Sequence, residues 1–356
     1  MSSIEPQPCG SCTPAMHVDI LIIGAGPAGC AAAISARQAG LKVMLIEARA
    51  NTCRAPGETL HPGIEPILKK LGVWHDIVAA DFYRHRGVWR ESDGVRILAP
   101  YGSDNDGEWL GFQADRRTLH GILQRAAGEA GAMFMPAAIP GGVIWQDGRR
   151  GRIAGVICKG SEIRARWVFD ATGRRAWLAR MLDLRADCPG PPLRVRFGWK
   201  NGSDQCLQGQ PLFHQHIGGW EWQAPLGDGT TAWAILEHPL ERTTRERSNP
   251  AAASMAGKGD SRGVDMTWRL HEACAGPGYF LLGDAAALLD PASSTGVLRA
   301  LMSGMLAADL AARMFRGGDE NSAAQAYIHW ISELFYHQTS SLLESYPTSP
   351  KKRHSA

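Results

Sequence analysis

The sequence predicts an α/β fold, a Rossmann-type parallel sheet into which an antiparallel β-sheet is inserted, and three observations predict it. An apolar run, Val18 to Ile23, enters Gly24-Ala25-Gly26-Pro27-Ala28-Gly29 and then a small-residue stretch of helical character. A second apolar run, Leu41 to Ile46, closes on an acid, Glu47. From Phe82 onward, period-two alternation and tryptophans take over in pieces, while buried-type strands of the first kind return at Ile163–Phe169 and Tyr279–Leu282.

The first segment has the order that a dinucleotide diphosphate requires. Gly24 turns the chain tightly off the strand, Gly26 removes a Cβ that would hold backbone N–H groups away from the diphosphate, and Gly29 permits close helix packing. Pro27 and Ala28 complete the turn, and the positive end of the helix from Ala31 to Ala39 faces the phosphates. Gly40 ends that helix. Glu47 stands where the ribose hydroxyls of an adenine dinucleotide would sit.

The chain has 356 residues, enough for two modest cores sharing an interface. Lys and Arg number 38 against 35 Asp and Glu, so charge recommends neither nucleic acid nor a membrane surface as partner. Residues 1–15 are polar and lack an apolar signal region. No apolar run reaches membrane-spanning length, and the expectation is a cytoplasmic protein with no membrane span. Eight cysteines spread along the chain, several of them in predicted strands or helices, fit reduced thiols; Cys9 and Cys12 form a lone C-x-x-C in the polar N-terminal stretch.

After Glu47, residues 48–63 read as a loop long enough to cover a ligand, and it carries Arg54-Ala55-Pro56-Gly57-Glu58-Thr59-Leu60-His61. Ile64 to Leu71 reads as a helix. Gly87–Arg90 and Val95–Leu98, with a turn at Ser92-Asp93-Gly94, read as a hairpin. Thr118 to Ala130 is helical, Ile153–Lys159 and Ile163–Phe169 are strands, and Asp170-Ala171-Thr172-Gly173 follows the second of them. From Leu193 to Met266 alternation returns in tryptophan-bearing strands that complete the antiparallel sheet. Thr243 to Gly263 has little periodicity and reads as a mobile connection. Gly296 to Arg313 is a long small-residue helix.

Gly283-Asp284 at a strand end, followed by Asp290-Pro291 and Thr295-Gly296-Val297 before a helix, makes a second glycine and acid constellation. A carboxylate there can bond a polyol, and a glycine at a helix start lets N–H groups approach an electron-rich ring edge. These three motifs, in this order over roughly residues 16–315, resemble the p-hydroxybenzoate hydroxylase-like flavoproteins. The resemblance implies FAD as cofactor, with Glu47 on the adenosine ribose, Asp284 on the ribityl chain, and Thr295 and Gly296 by the flavin pyrimidine edge. Gln113 and Arg116 match the family's Q-x-x-R, near ribityl and diphosphate; Arg54, Pro291 and Val297 are also counted as cofactor contacts. It implies an FAD-binding domain of residues 16–81, 113–180 and 276–330, a substrate domain of 82–112 and 190–275, and a C-terminal helix and tail in 331–356.

Within that class, the P-G-E loop and Trp220-Glu221-Trp222-Gln223-Ala224-Pro225 resemble the flavin-dependent halogenases, whose W-x-W-x-I-P has an isoleucine where this chain has Ala224. Those enzymes hold a lysine just after the helix that follows the loop. Phe82-Tyr83-Arg84-His85-Arg86-Gly87 contains none, and Ser293 stands where tryptophan halogenases have a glutamate. A second likeness is to the short flavoproteins that mature tryptophylquinone enzymes, among them the lysine oxidase and glycine oxidase modification proteins. That likeness implies an FAD-dependent monooxygenase whose substrate is a tryptophan in a partner protein, the precursor of a quinone-cofactor enzyme. NAD(P)H or a flavin reductase would donate electrons and O2 would be co-substrate. The alternatives are a hydroxylase of a free aromatic small molecule, a halogenase or geranylgeranyl-reductase-like oxidoreductase, and a non-catalytic flavin-bound maturation partner.

His61 and His85 are candidate proton relays, since imidazole titrates near neutrality. Trp220 and Trp222 share a strand face and either line a substrate cavity or pack across strands. His214 and His216 also share a face, where packing or substrate contact is a better reading than metal binding, and no metal is expected.

Overall fold

The computed structural model describes residues 16–49, 58–148, 151–202, 205–216, 219–237 and 262–345. Its larger sheet is built on the strand Met16–Ile23, whose inner residues Ile20, Leu21 and Ile22 are fully buried. Val43–Glu47 pairs with it in parallel on one side and Ser161–Asp170 on the other, and Met133–Pro136 extends the sheet beyond Val43–Glu47. Burial on both faces explains the unbroken apolar runs that the sequence shows there. Ser161–Asp170 changes neighbours along its length: its first half pairs antiparallel with Ile153–Cys158, and its last three residues pair parallel with Tyr279–Leu281.

The helix Pro27–Gln38 starts directly on the glycine loop and packs against the helix Gly296–Phe315. A Cβ on Gly304 would collide with the carbonyl oxygen of Ala28, so the two helices touch backbone to backbone at that point. The last helix, Glu320–Ser345, lies over the strand Tyr279–Leu281. Its buried Tyr327 donates to the Leu281 carbonyl at 2.7 Å and meets Phe280 edge-on. This helix begins well before the C-terminal boundary at 331 that the sequence suggests.

The inserted sheet has seven strands in the order Arg262–Asp265, Arg194–Asn201, Thr230–Glu237, Gly219–Pro225, Leu212–His216, Gly87–Ser92 and Val95–Pro100. All neighbours are antiparallel except Leu212–His216 and Gly87–Ser92. The turn between the last two is Asp93-Gly94, both at positive φ, as a tight hairpin needs.

Three elements differ from the sequence reading. Tyr83–His85 and Gly111–Ala114 do not join the large insert but form, with Glu58–Leu60, a separate small sheet. A short helix, Trp74–Ala79, follows Glu65–Lys70; its few residues carry too little periodicity to announce it. Arg262 and Gly263, placed by composition in a mobile connection, are strand residues paired with Phe197 and Arg196. The remainder of that connection, residues 243–261, lies outside the described residues, as do Cys9, Cys12 and Arg54.

Candidate functional site

The ends of Met16–Ile23, Val43–Glu47 and Ser161–Asp170 converge on the glycine loop. Gly24 takes φ +103°, and a Cβ there would strike the carbonyl of Ala171; a Cβ on Gly29 would strike the carbonyl of Gly24. Those two glycines close the loop on itself and on Asp170-Ala171-Thr172. Gly26 differs, because a Cβ on it would meet nothing within 4 Å. Its bare Cα therefore faces open space where a ligand's diphosphate can approach. Glu47 is fixed beside this space: its carboxylate accepts from the Ala25 N–H at 2.8 Å and the Arg49 N–H at 3.0 Å. Asp170, fully buried, holds the second turn by accepting from the N–H groups of Thr172 at 2.8 Å and Leu178 at 2.7 Å. Burial still pushes its carboxyl above the ordinary range.

Gln113 and Arg116 reach this region from the small sheet and the helix Arg116–Glu129. Each is partly engaged by the strand Glu58–Leu60. Thr59 Oγ1 donates to Gln113 Oε1 at 3.0 Å, and Arg116 forms a 2.7 Å ion pair with Glu58. Gln113 Nε2 and Arg116 Nε remain buried donors without a protein acceptor. Glu58, to which sequence reasoning gave no role, belongs to the site. Its carboxyl is raised by burial, is drawn back by Arg116, and is raised further by the charge of Asp284.

Asp284 sits in the short helical turn Gly283–Ala285, half-buried. Its charge also acts on Arg174 and on Arg299. Arg299 is 8% exposed on the helix Gly296–Phe315, with one long bond to the Ala287 carbonyl at 3.5 Å and Nε unpartnered. At the start of that helix Gly296, like Gly26, would place a Cβ into empty space. Thr295 accepts through Oγ1 from Gln338 of the last helix at 3.1 Å. Pro291 opens the preceding turn, and Val297 is buried in the first helical turn.

This donor set fits FAD. Two bare glycines mark the approaches for a diphosphate and a ring edge, three buried donors, Gln113 Nε2, Arg116 Nε and Arg299 Nε, lack protein acceptors, and carboxylates at 47 and 284 can bond ribose and polyol hydroxyls. Bound FAD supplies redox chemistry that no protein side chain here can supply.

The two histidine candidates come together on either side of one tyrosine. His61 meets Tyr101 edge-on at 4.7 Å between ring centroids, and His85 lies 5.4 Å from the same ring. His85 is 1% exposed. Its Nδ1 donates to the Gly87 carbonyl at 3.2 Å, which leaves Nε2 as a buried lone pair without a partner. Burial pushes this imidazole down to about 4, so it is neutral near pH 7. Burial lowers His61 as well and raises the Tyr101 phenol to about 12. Gly111 makes room for the His85 ring: a Cβ there would lie 2.7 Å from Cε1 and 2.9 Å from Nε2.

The tryptophans divide. Trp220 is not an open cavity wall; it is 1% exposed, and its indole N–H donates to Asp290 at 3.0 Å. Trp222 is half-buried against the core. The His214 and His216 rings lie 5.7 Å apart, and among the described residues no group of three or more metal-ligating side chains forms. No described helix is long and apolar enough to cross a membrane.

Residues 19–184 match the family described as FAD dependent oxidoreductase. The chain is 28% identical over 344 residues to the 1H-pyrrole-2-carbonyl-(peptidyl-carrier protein) chlorinase of Pseudomonas fluorescens, covering 81% of this chain and 74% of that protein. It is 25% identical over 330 residues to digeranylgeranylglycerophospholipid reductase 1 of Methanothermobacter thermautotrophicus, covering 85% and 79%. The fold matches that of the flavin-dependent brominase Bmp2 with a TM-score of 0.76 at 22% identity, over 88% of this chain and 83% of that one. Over residues 19–184 the chain is thus similar to FAD-dependent oxidoreductases, and its fold is that of a flavin-dependent brominase. Its relatives include carrier-protein-dependent halogenating enzymes and isoprenoid-lipid reductases.

Proposed function

We propose that this enzyme carries out flavin-dependent electrophilic substitution on an electron-rich aromatic ring, with halide as the group transferred. The observation that carries the reading is His85. Halogenases, by the resemblance drawn from the sequence, use a lysine in this segment to hold or relay the oxidised halide. In this chain a buried neutral imidazole, packed beside Gly111 with no protein hydrogen-bond partner at Nε2, occupies the segment instead. Its role is to hold the electrophile by Nε2 and direct it at the ring. The balance is one hypohalous acid and one ring C–H giving a ring C–halogen bond and water. NAD(P)H, directly or through a separate flavin reductase, would reduce the FAD, and dioxygen would be the oxidant of the halide: NAD(P)H, O2, halide and two protons give NAD(P)+, hypohalous acid and water. The likeness to the pyrrole chlorinase supports a five-membered heteroaromatic ring as first substrate class. The tryptophan of a partner protein, expected from the sequence, is not what the relatives named above are described as acting on.

Hydroxylation is the second reading, favoured by the missing lysine in Phe82–Gly87. One experiment separates the two. Holoenzyme, a flavin reductase, NADH, oxygen and bromide are supplied with pyrrole-2-carboxyl thioesters, indoles and phenols, and products are read by mass spectrometry. A bromine isotope pattern that disappears in His85→Ala, while FAD stays bound, is the expected result. Products that gain oxygen and never bromine would replace halogenation with hydroxylation.

A further inference from the structure

Trp220 belongs to the inserted sheet and Asp290 to the loop leading into the helix Gly296–Phe315, yet the two are joined through a 3.0 Å hydrogen bond in a fully enclosed setting. The bonded carboxylate oxygen, Asp290 Oδ1, also accepts from the Ala292 N–H at 2.9 Å and so caps the short turn Pro291–Ser293. That turn ends on Ser294, held at φ +50°, a left-handed conformation that costs free energy for a side-chain-bearing residue and persists where its surroundings impose it. Thr295 and Gly296 follow at once. The loop is thus pinned at one end by the indole of the substrate-side sheet and at the other by Gln338 of the last helix, through Thr295. Phe213 lies 5.8 Å from the Trp220 ring on the neighbouring strand, so the indole is wedged from the sheet side as well.

We propose that Trp220 is a positioning residue for the cofactor: through Asp290 it sets the Pro291–Gly296 loop that presents the helix start to the flavin ring. The sheet of the inserted domain and the cofactor loop then move as one unit. This rests on the reading that the flavin ring edge lies at Thr295 and Gly296.

The test uses FAD-loaded protein and reads the FAD dissociation constant by fluorescence, the potential of bound FAD against a reference dye, and thermal stability separately. Trp220→Phe keeps the ring and deletes the N–H donor; it is expected to weaken FAD about fivefold and to shift the potential, as loss of a bond to a charged group propagates to the loop. Asp290→Asn keeps an oxygen acceptor and is expected to fall between wild type and Trp220→Phe. Trp222→Phe, on the same strand, is expected to match wild type. Gly296→Val, which puts a side chain into the open space at the helix start, is expected to abolish tight FAD binding. If Trp220→Phe lowers only the melting temperature while Gly296→Val still loses FAD, the flavin placement stands and the positioning role is wrong. If Gly296→Val binds FAD like wild type, the placement and the positioning role both fall.

Discussion

His85 couples the candidate chemistry to acid stability. Its imidazole is held neutral down to about pH 4, whereas in the unfolded chain it titrates near 6.5. Between those values the unfolded chain binds the proton and the folded one does not, so stability is full above about pH 6.5 and is lost as pH falls toward 4. The contribution is on the order of 3 kcal/mol. His120, also pushed down to about 4 by burial and by Arg116, acts in the same direction. Urea midpoints measured from pH 7 to 4.5 should therefore fall, and His85→Gln should flatten the fall in part; parallel curves for the two proteins would contradict a buried neutral His85. At the same scale, Asp284→Ala removes a partner for a ligand polyol and should lower FAD content per protein, by about 1.5–3 kcal/mol of binding free energy. Undiminished flavin absorbance would remove Asp284 from the site. Glu47 was legible in the sequence because strand length and the glycine turn fix its position. The Trp220–Asp290 and Glu58–Arg116 contacts were not, since nothing in local periodicity reports which distant side chains meet.

Among the elements, the contact between Pro27–Gln38 and Gly296–Phe315 depends on bare backbone at Gly304, where a Cβ would meet the Ala28 carbonyl. Gly304→Ala should separate the helices and destabilise the protein by ~1–3 kcal/mol, with weaker FAD binding because Ala28 lies in the first turn of the helix that follows the glycine loop. Gly121, within the helix Arg116–Glu129, has nothing within 4 Å of its would-be Cβ. Gly121→Ala should instead stabilise by roughly 0.5–1 kcal/mol through helix propensity. Opposite signs for these two Gly→Ala changes in thermal melts check the packing; a common sign would refute it. Long, strongly periodic elements such as Gly296–Phe315 were readable in the sequence to within two residues. The three-residue strands Glu58–Leu60 and Tyr83–His85 were not, because their pairing comes from the strand Gly111–Ala114 between them and not from their own composition.

For the whole molecule, the last helix is part of the core and not an appendage. Tyr327, Ile331 and Phe335 are buried against the strand Tyr279–Leu281 and its surroundings, and Gln338 holds Thr295. A chain cut after Gly318 should bind a hydrophobic dye, yield to limited protease and fail to retain FAD; a truncated protein that keeps the flavin would show that the helix is dispensable. The two-sheet architecture was legible because the hydrophobic period changes along the chain from unbroken runs to alternation. Strand order in the seven-stranded sheet was not, because a parallel neighbour such as Leu212–His216 beside Gly87–Ser92 is chosen by packing across many intervening residues.

The three-segment construction of the parallel sheet also governs how the molecule comes into being on the ribosome. Met16–Ile23 and its glycine loop emerge first, but Tyr279–Leu281 and the helix that seats against Ala28 emerge only after the whole inserted sheet has been made. Closing contacts across such separations pays a large entropic cost before it is rewarded, so the nucleotide half waits, incomplete, for its last pieces. Until then the nascent chain holds an unfinished sheet. Cofactor loading becomes a late event, and a molecule that carries flavin is one that has been translated through the last helix.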